Sequence, residues 1–399
     1  MSLNDTPSGE RVQIAFFGLR NAGKSSLVNA VTGQDLAVVS DTAGTTTDPV
    51  RKAMELLPVG PVVIIDTPGI DDVGELGELR VQKAREVLRR CDVAVLVTEA
   101  GRALKEPESG LVALFEERHV PYVIALNKAD LLTNASDANP EGRDHTLVVS
   151  ALEGMGIHEL KEKIASAAHV RGEERWLIAD LLSPGDMVVF VVPIDSAAPK
   201  GRLILPQQMA IRDVLDAHCA CSVCQVGELA ATLEALVRPP RMVVTDSQAF
   251  AEVAHIVPAD VPLTSFSMLM ARYKADLPTL VEGAKALAGL TDDSRVLIAE
   301  GCTHHRQCDD IGSVKMPGWI RAHCGADPSF EFCSGGTFPD DLGPYDVVVH
   351  CGDCMLNRRE MESRVERARN QDTPIVNYGV AIACMHGILS RCLSPFSTE

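Results

Sequence analysis

The sequence predicts an α/β protein throughout, on three observations. Short runs rich in Val and Ile alternate with longer helical stretches. A Gly-rich run ending in Lys-Ser follows the first of the apolar strands. No apolar stretch reaches the roughly 18 residues that a membrane-spanning helix needs. The 399 residues suggest two or three domains, and an apolar fraction of 46% is enough to bury their cores.

The elements follow in order. Arg11–Phe17 is predicted as a strand and Lys24–Thr32 as a helix. Val62–Asp66, Val93–Thr98 and Tyr122–Asn127 are predicted as buried strands, with helices at Leu79–Arg90, Leu111–Arg118 and His158–Ala168. This is the pattern of a doubly wound parallel sheet. The charged stretch Arg171–Arg175 ends it. Beyond lie a strand at Met187–Ile194, a turn-rich loop from Ser196 to Pro206, a helix starting at Gln208–Leu215 and a strand at Met242–Thr245. A long helical region, Phe266–Leu290, breaks near Pro278. Arg295–Ala299, Asp346–Val349 and Pro374–Val376 are predicted as short buried strands, with a helix at Glu360–Asn370, which reads as a further parallel α/β block.

Charge and targeting signals narrow the class. The net charge of −18 argues against non-specific binding to nucleic acid, which relies on Lys and Arg at phosphates. Met1–Glu10 is polar and has no signal-peptide core, so a cytoplasmic protein, neither exported nor held in a membrane, is expected.

Four motifs at predicted strand ends define a nucleotide site. Gly18-Leu-Arg-Asn-Ala-Gly-Lys-Ser25 has the spacing of a phosphate-binding loop between strand and helix. Backbone N–H groups over Asn21, Ala22, Gly23, Lys24, Ser25 and Ser26 point at phosphate oxygens, Lys24 reaches the β- and γ-phosphates, and Ser25 offers its hydroxyl to Mg²⁺. In Asp66-Thr-Pro-Gly69 the Asp can hold Mg²⁺ through water and the N–H of Gly69 can sense the γ-phosphate. In Asn127-Lys128-Ala-Asp130 the carboxylate can accept from both N1–H and the exocyclic amine of guanine, a pair adenine lacks. Ser150, Ala151 and Leu152 supply backbone to the base. Together these four predict GTP or GDP.

Gly44-Thr-Thr-Thr-Asp-Pro49 resembles the first switch loop of the TrmE/Era group of bacterial GTPases, whose pattern is Gly-Thr-Thr-Arg-Asp. By that resemblance Thr46 is the Mg²⁺-sensing threonine, and Thr47 stands where the group carries Arg. Asn21 matches the Asn that holds K⁺ in members using that ion, so K⁺-stimulated hydrolysis is implied, with Lys24, Thr46 and Gly69 as catalytic groups. Ile70 follows Gly69, where Ras-like proteins have a water-orienting Gln. An Ile cannot orient water, and slow hydrolysis is expected.

The twelve cysteines are unevenly placed. Only Cys91 lies before residue 200, while Cys219, Cys221 and Cys224 cluster mid-chain and eight more lie beyond residue 300. Without an export signal, a metal or cluster is the better expectation than disulfides. Cys302-Thr-His304 and His350-Cys351-Gly-Asp-Cys354 each follow a predicted parallel strand, where loops converge on ligands. Three thiolates and two histidines suit either a structural Zn²⁺ or a [4Fe–4S] cluster with one open iron. Cys219, Cys221 and Cys224, beside His218, are read as helix-packed or incidental. Cys308, Cys324 and Cys333, around a loop-rich stretch from Gly312 to Phe338, and Cys384 with His386 are weaker candidates.

The combination of TrmE/Era-like motifs, Cys302-Thr-His304 and His350-Cys351-Gly-Asp-Cys354 resembles the HydF family of [FeFe]-hydrogenase maturation GTPases, and Pro193–Gln207 looks like that family's dimerisation segment. The resemblance implies a [4Fe–4S] cluster on Cys302, Cys351 and Cys354, with His304 and His350 as possible additional ligands. Asp195 or a non-protein group is an alternative. It further implies a homodimeric scaffold that carries a transient two-iron subcluster precursor, works with two radical-SAM maturation proteins and delivers to the apo-hydrogenase. The expected architecture is a P-loop GTPase domain over residues 1–170, a small α/β dimerisation domain over 176–268 and a parallel α/β cluster domain over 269–399. The competing reading is an RNA-modification or ribosome-associated GTPase with a zinc-binding tail.

Overall fold

A computed structural model describes residues 8–34, 50–70, 75–132, 145–169, 175–194, 203–300, 311–335, 337–352 and 356–396. The chain divides into two compact units, residues 1–173 and 174–399. Among the described residues no helix is long and apolar enough to cross a membrane.

The first unit runs β1 (Val12–Phe17), α1 (Lys24–Thr32), β2 (Val50–Leu56), β3 (Gly60–Asp66), α2 (Glu75–Leu88), β4 (Val93–Glu99), α3 (Glu106–Glu117), β5 (Tyr122–Asn127), β6 (Thr146–Val148) and α4 (Ile157–His169). The sheet order is β2-β3-β1-β4-β5-β6. Only β2 is antiparallel to its neighbour. The two-residue period of a strand sends Ile14 and Phe16 to one face and Ala15 and Phe17 to the other. The first pair packs with Leu27, Val31, Leu160 and Ile164 of α1 and α4. The second packs with Leu88 of α2 and Leu111 and Phe115 of α3. Both faces are therefore covered, as a parallel sheet requires. Sequence reading did not find β2. Leu56 is its one buried residue, so it carries no apolar pattern, and charge on an edge strand is what such an edge tolerates.

The second unit holds two four-stranded sheets. It begins β7 (Met187–Val191), α5 (Leu205–Asp216), β8 (Ala220–Cys224), α6 (Leu229–Glu234), β9 (Met242–Thr245), α7 (Phe250–Ile256) and β10 (Leu263–Ser265). It continues α8 (Phe266–Lys274), α9 (Leu277–Ala284), β11 (Arg295–Glu300), α10 (Met316–Cys324), β12 (Ser329–Ser334), β13 (Val347–His350), α11 (Arg358–Asn370), β14 (Ile375–Asn377), α12 (Tyr378–Met385) and α13 (Leu389–Leu393). The orders are β10-β9-β7-β8 and β12-β11-β13-β14. Every pairing in them is parallel. One core contains Val189 and Val243 from the first sheet together with Val296, Val348 and Val376 from the second.

Two expectations need correction, and one is met: the helical region expected from Phe266 does break just before Pro278, at Ala275 and Asp276. There the Asp276 carboxylate accepts from the N–H of Thr279 at 3.1 Å and caps α9, which carries Pro278 in its first turn. Met316–Cys324 and Ser329–Ser334 form α10 and β12 in a stretch read as loops. β12 is an edge strand with mostly exposed side chains and so lacks the alternation that marks a half-buried one. Finally, Ala220–Cys224 is a strand, not part of a helix. Cys219 and Cys221 pack with Val188 and Phe190. Cys224 packs on the other core, with Val189 and Val191. The sheet separates the thiols, and these three cysteines cannot close on one metal ion. Burial pushes the Cys221 and Cys224 thiols up, as expected of inert packed cysteines.

Helix α9 lies hard against β14. A Cβ on Gly283 would stand 2.0 Å from the carbonyl oxygen of Ile375, a backbone atom that cannot swing aside. Gly283→Ala is expected to cost about 1–3 kcal/mol. For a unit of this size that lowers the melting temperature by roughly 2–10 °C, read by circular dichroism. An unchanged melting curve would mean α9 is free to move.

Candidate nucleotide and cluster sites

The nucleotide motifs converge at the carboxyl ends of β1, β3, β5 and β6. The loop after β1 has Gly18 at φ 149°, Asn21 at φ 61° and Gly23 at φ 88°. A Cβ on Gly18 would stand 2.2 Å from the Val97 carbonyl oxygen, and one on Gly23 would stand 2.3 Å from Nδ2 of Asn127. The glycines are thus required both by backbone sign and by space. Lys24 is buried, its Nζ donating to the carbonyls of Gly18 at 3.1 Å and Leu19 at 2.8 Å. Ala22 is buried, while Ser25 and Ser26 are half-buried at the start of α1. The Asp66 to Gly69 turn is tied to β1 by the Thr67 hydroxyl, which donates to the Phe16 carbonyl at 2.7 Å. A Cβ on Gly69 would stand 2.9 Å from Arg20 backbone, so this turn and the phosphate loop touch.

The Mg²⁺ that the motifs imply has a fitting donor set. Ser25 Oγ donates to Asp66 Oδ2 at 2.7 Å. Asp66 Oδ1 is buried and has no hydrogen-bond partner. Burial pushes this carboxyl up, and the Ser25 hydroxyl and Lys24 ammonium pull it back. A cation beside the pair would satisfy the orphaned oxygen and favour the carboxylate.

Asn127 clasps the site. Its Nδ2 donates to the Ala22 carbonyl at 3.1 Å, and its Oδ1 accepts from the N–H of Ala151 at 3.0 Å. One buried amide therefore joins the phosphate loop to the base-binding loop. Ser150 Oγ donates to Asp130 Oδ1 at 2.5 Å and orients that carboxylate. Lys128, at φ 64°, reaches back to Glu99 at 2.5 Å and holds its carboxyl below the usual range. Leu152 is exposed. Ile70 is buried among Phe17, Leu19 and Ile65, a core residue. Thr46, Thr47, Asp71 and Asp72 lie outside the described residues.

The cluster site is expected at the carboxyl ends of β11 and β13, two inner strands of the second sheet. In the order β12-β11-β13-β14 the strand order reverses between β11 and β13, the switch point where open α/β sheets bind ligands. Ala299 is paired with His350 across these strands, and the N–H of Cys351 donates to the Ala299 carbonyl at 2.9 Å. The chain segments leading to Cys302 and to Cys354 thus leave from adjacent strands. Cys302, His304, Cys308, Cys354 and Asp195 lie outside the described residues. Among the described residues no group of three or more metal-binding side chains is assembled. Cys333 is paired in register with Ala299 on the other side, and burial pushes its thiol up. Cys324 ends α10, and Cys384 packs on the core from α12.

Two fully buried cations brace the segment around Cys351, and sequence reading did not find them. Arg364 in α11 lies at the carboxyl end of β13. Its Nη1 is 2.7 Å from Nε2 of His350, its Nε donates to Glu360 Oε1 at 2.9 Å and its Nη2 to the Gly335 carbonyl at 2.6 Å. Its guanidinium also stacks on Phe338, at 4.9 Å from the ring centre. Lys274 Nζ donates to the Leu356 carbonyl at 2.7 Å. The Glu360/Arg364 spacing is a helical i,i+4 pair, but such pairs are mostly solvated and the sequence carries no sign that this one is buried.

The comparisons with known proteins agree in part and add detail. The model of the 50S ribosome-binding GTPase family matches residues 13–128. The hydrogen maturase F dimerization domain matches 177–275, and the hydrogen maturase F tetramerization domain matches 278–395. The tRNA modification GTPase MnmE of Aquifex aeolicus is 32% identical over 167 residues, covering 41% of this chain and 36% of that protein. MnmE of Synechococcus sp. (strain JA-3-3Ab) is 36% identical over 157 residues, covering 38% and 33%. The chain thus spans about a third of the length of the curated relatives it matches. An Era variant from Aquifex aeolicus, solved with GDP and AlF4−, gives a TM-score of 0.36 at 18% identity over 61% of this chain and 97% of that one, a local likeness only. A GTPase domain followed, in that order, by both of the hydrogen maturase F domains, which together match more than half of the chain, places this chain in the hydrogen maturase F family.

Proposed function

We propose that this chain is a GTP-switched scaffold that builds the two-iron subcluster of [FeFe]-hydrogenase on or near a [4Fe–4S] cluster and delivers it to the apo-hydrogenase. The observation that carries this reading is the union, in one chain, of a guanine-nucleotide site with a Cys351 segment hydrogen-bonded at the switch point of a parallel sheet. Cys302, Cys351 and Cys354 are the proposed ligands. Thiolates are the usual ligands of iron–sulfur clusters, and three of them leave one iron open to a precursor. Two radical-SAM proteins are the proposed suppliers. The MnmE relatives match over about two fifths of this chain and a third of their own length, and tRNA modification stays with those proteins.

In the GTPase domain Lys24 is proposed to meet the β- and γ-phosphate oxygens, Ser25 and Asp66 to hold Mg²⁺ with Thr46, and Asn21 to hold K⁺. A bound K⁺ would add positive charge where the transferred phosphoryl group develops negative charge. Ile70, seated in the core, supports slow turnover. The back half is proposed to divide near residues 268–269 into dimer-forming and cluster-binding parts. β8, an edge strand among the described residues, offers a surface on which a second copy can pair.

The experiment is anaerobic reconstitution of the full chain with iron and sulfide, followed by transfer of precursor to apo-hydrogenase. Cys351→Ser is expected to lose most of the cluster iron and most of the activation, because a neutral hydroxyl is a poor ligand for iron–sulfur iron. Full iron content and full activation by that variant would remove the scaffold assignment. One zinc per colourless wild-type chain would favour a structural metal instead.

A further inference from the structure

We propose that Arg364 is the positioning residue of the cluster site: its guanidinium holds His350 in the Nδ1-protonated tautomer with Nε2 occupied, so that His350 steers the backbone at Cys351 and does not ligate iron. This rests on the cluster assignment above for its purpose, but not for its geometry. A guanidinium carries five N–H donors and no acceptor. At 2.7 Å from Arg364 Nη1, His350 Nε2 must therefore accept. The ring proton is then on Nδ1, which lies 3.2 Å from the Cys351 carbonyl oxygen and donates to it. His350 is fully buried and cannot turn to solvent for another partner.

The geometry is over-determined from the arginine side. Arg364 is itself 1% exposed, and Glu360 balances its charge. The Gly335 carbonyl and the face of Phe338 fix the plane of the guanidinium. Phe338 also lies 6.2 Å from the His350 ring, so the two side chains share one wall. A guanidinium held this firmly selects one tautomer of the imidazole beside it, as outer partners do for metal-site histidines. Here the selected tautomer spends both ring nitrogens inside the protein. The Cys351 peptide is then gripped twice. Its N–H is bound by Ala299 and its C=O by His350, which fixes the direction in which the Cys351 side chain leaves the strand. Lys274, on the Leu356 carbonyl, holds the far end of the same segment.

The test has a metal-free arm and a loaded arm. In the metal-free full chain labelled with ¹⁵N-histidine, the His350 signals are assigned by difference from His350→Gln. Wild type is expected to show a protonated Nδ1 and a bare Nε2. Arg364→Met is expected to lose that selection and move toward the Nε2–H tautomer that histidine favours in water. Arg364→Lys, which keeps a donor, is expected to retain part of the Nδ1–H signal. Should Arg364→Met not fold because Glu360 is left buried and charged, the Arg364→Met/Glu360→Gln pair removes both charges together. An Nε2–H tautomer in wild type, or an unchanged tautomer in both variants, would overturn the proposal. In protein reconstituted with iron and sulfide, pulsed electron paramagnetic resonance is expected to find no directly bound histidine nitrogen that His350→Gln removes. Iron release to a chelator is expected to be several-fold faster in the Arg364 variants. A His350 nitrogen on iron, or an unchanged release rate, would also overturn it. If wild type takes up no cluster while the tautomer result holds, it is the scaffold reading that fails, and Arg364 remains the group that fixes His350.

Discussion

Asp130→Asn is expected to lower the affinity for GTP by two to four orders of magnitude. The carboxylate is held by the Ser150 hydroxyl at the mouth of the base site, with its remaining lone pairs available to N1–H and the exocyclic amine of guanine. Hydrogen bonds to a charged group contribute about 1.5–3 kcal/mol each, so losing two costs about 3–6 kcal/mol. That corresponds to roughly 10²–10⁴ in dissociation constant. An Asn keeps the Ser150 contact through its carbonyl but turns an amine toward the base. It should therefore gain affinity for xanthosine triphosphate, which offers a carbonyl at that position. Titration calorimetry with both nucleotides checks this. Unchanged GTP binding would mean that Asp130 does not read the base.

Gly23→Val is expected to abolish nucleotide binding and to lower the melting temperature of the first unit by roughly 5–20 °C. At φ 88° a β-branched residue is strained by about 1–3 kcal/mol. Its Cβ would also stand 2.3 Å from the Asn127 amide, adding an overpacking cost of about 1–3 kcal/mol. The side chain displaced is the clasp between the phosphate loop and Ala151, so both halves of the nucleotide site lose their mutual support. Scanning calorimetry with and without GDP separates the effects. The transition of residues 174–399 should not move, and a variant that still binds GDP would show the clasp to be dispensable.

The sequence was most legible where one residue type is physically forced. Gly18, Gly23 and Gly69 are forced by space, Lys24 and Asp130 by charge, and the strands β1, β3, β4 and β5 by burial on both faces. These made the phosphate loop and the inner strands of the first sheet legible. Legibility failed at edges. β2, β8 and β12 each expose one side, so their side chains follow no strict alternation, and Cys219, Cys221 and Cys224 were read as helix-packed where Ala220–Cys224 is a strand. It failed again where burial alone confers the role. Arg364, Glu360 and Lys274 read as ordinary helix-surface charges, since nothing local distinguishes a solvated i,i+4 pair from one locked beneath a loop. At the proposed cluster site the ends of β11 and β13 were readable, because both strands are short and apolar.

The core shared by the two sheets of the second unit bears on cooperativity. Val189 and Val243 bury their surface in the same cluster as Val296, Val348 and Val376, so one face of the first sheet shares its apolar layer with the second sheet, while Val188, Phe190 and Val244 line a separate core on its other face. A chain cut near Pro278, where the two family domains meet, would open that layer to water on both fragments. The sheet of β7 to β10 and the strand end that leads to Cys351 are therefore coupled in stability through that shared layer. A disturbance at either is felt as stability by the other, with no change of shape required to carry it.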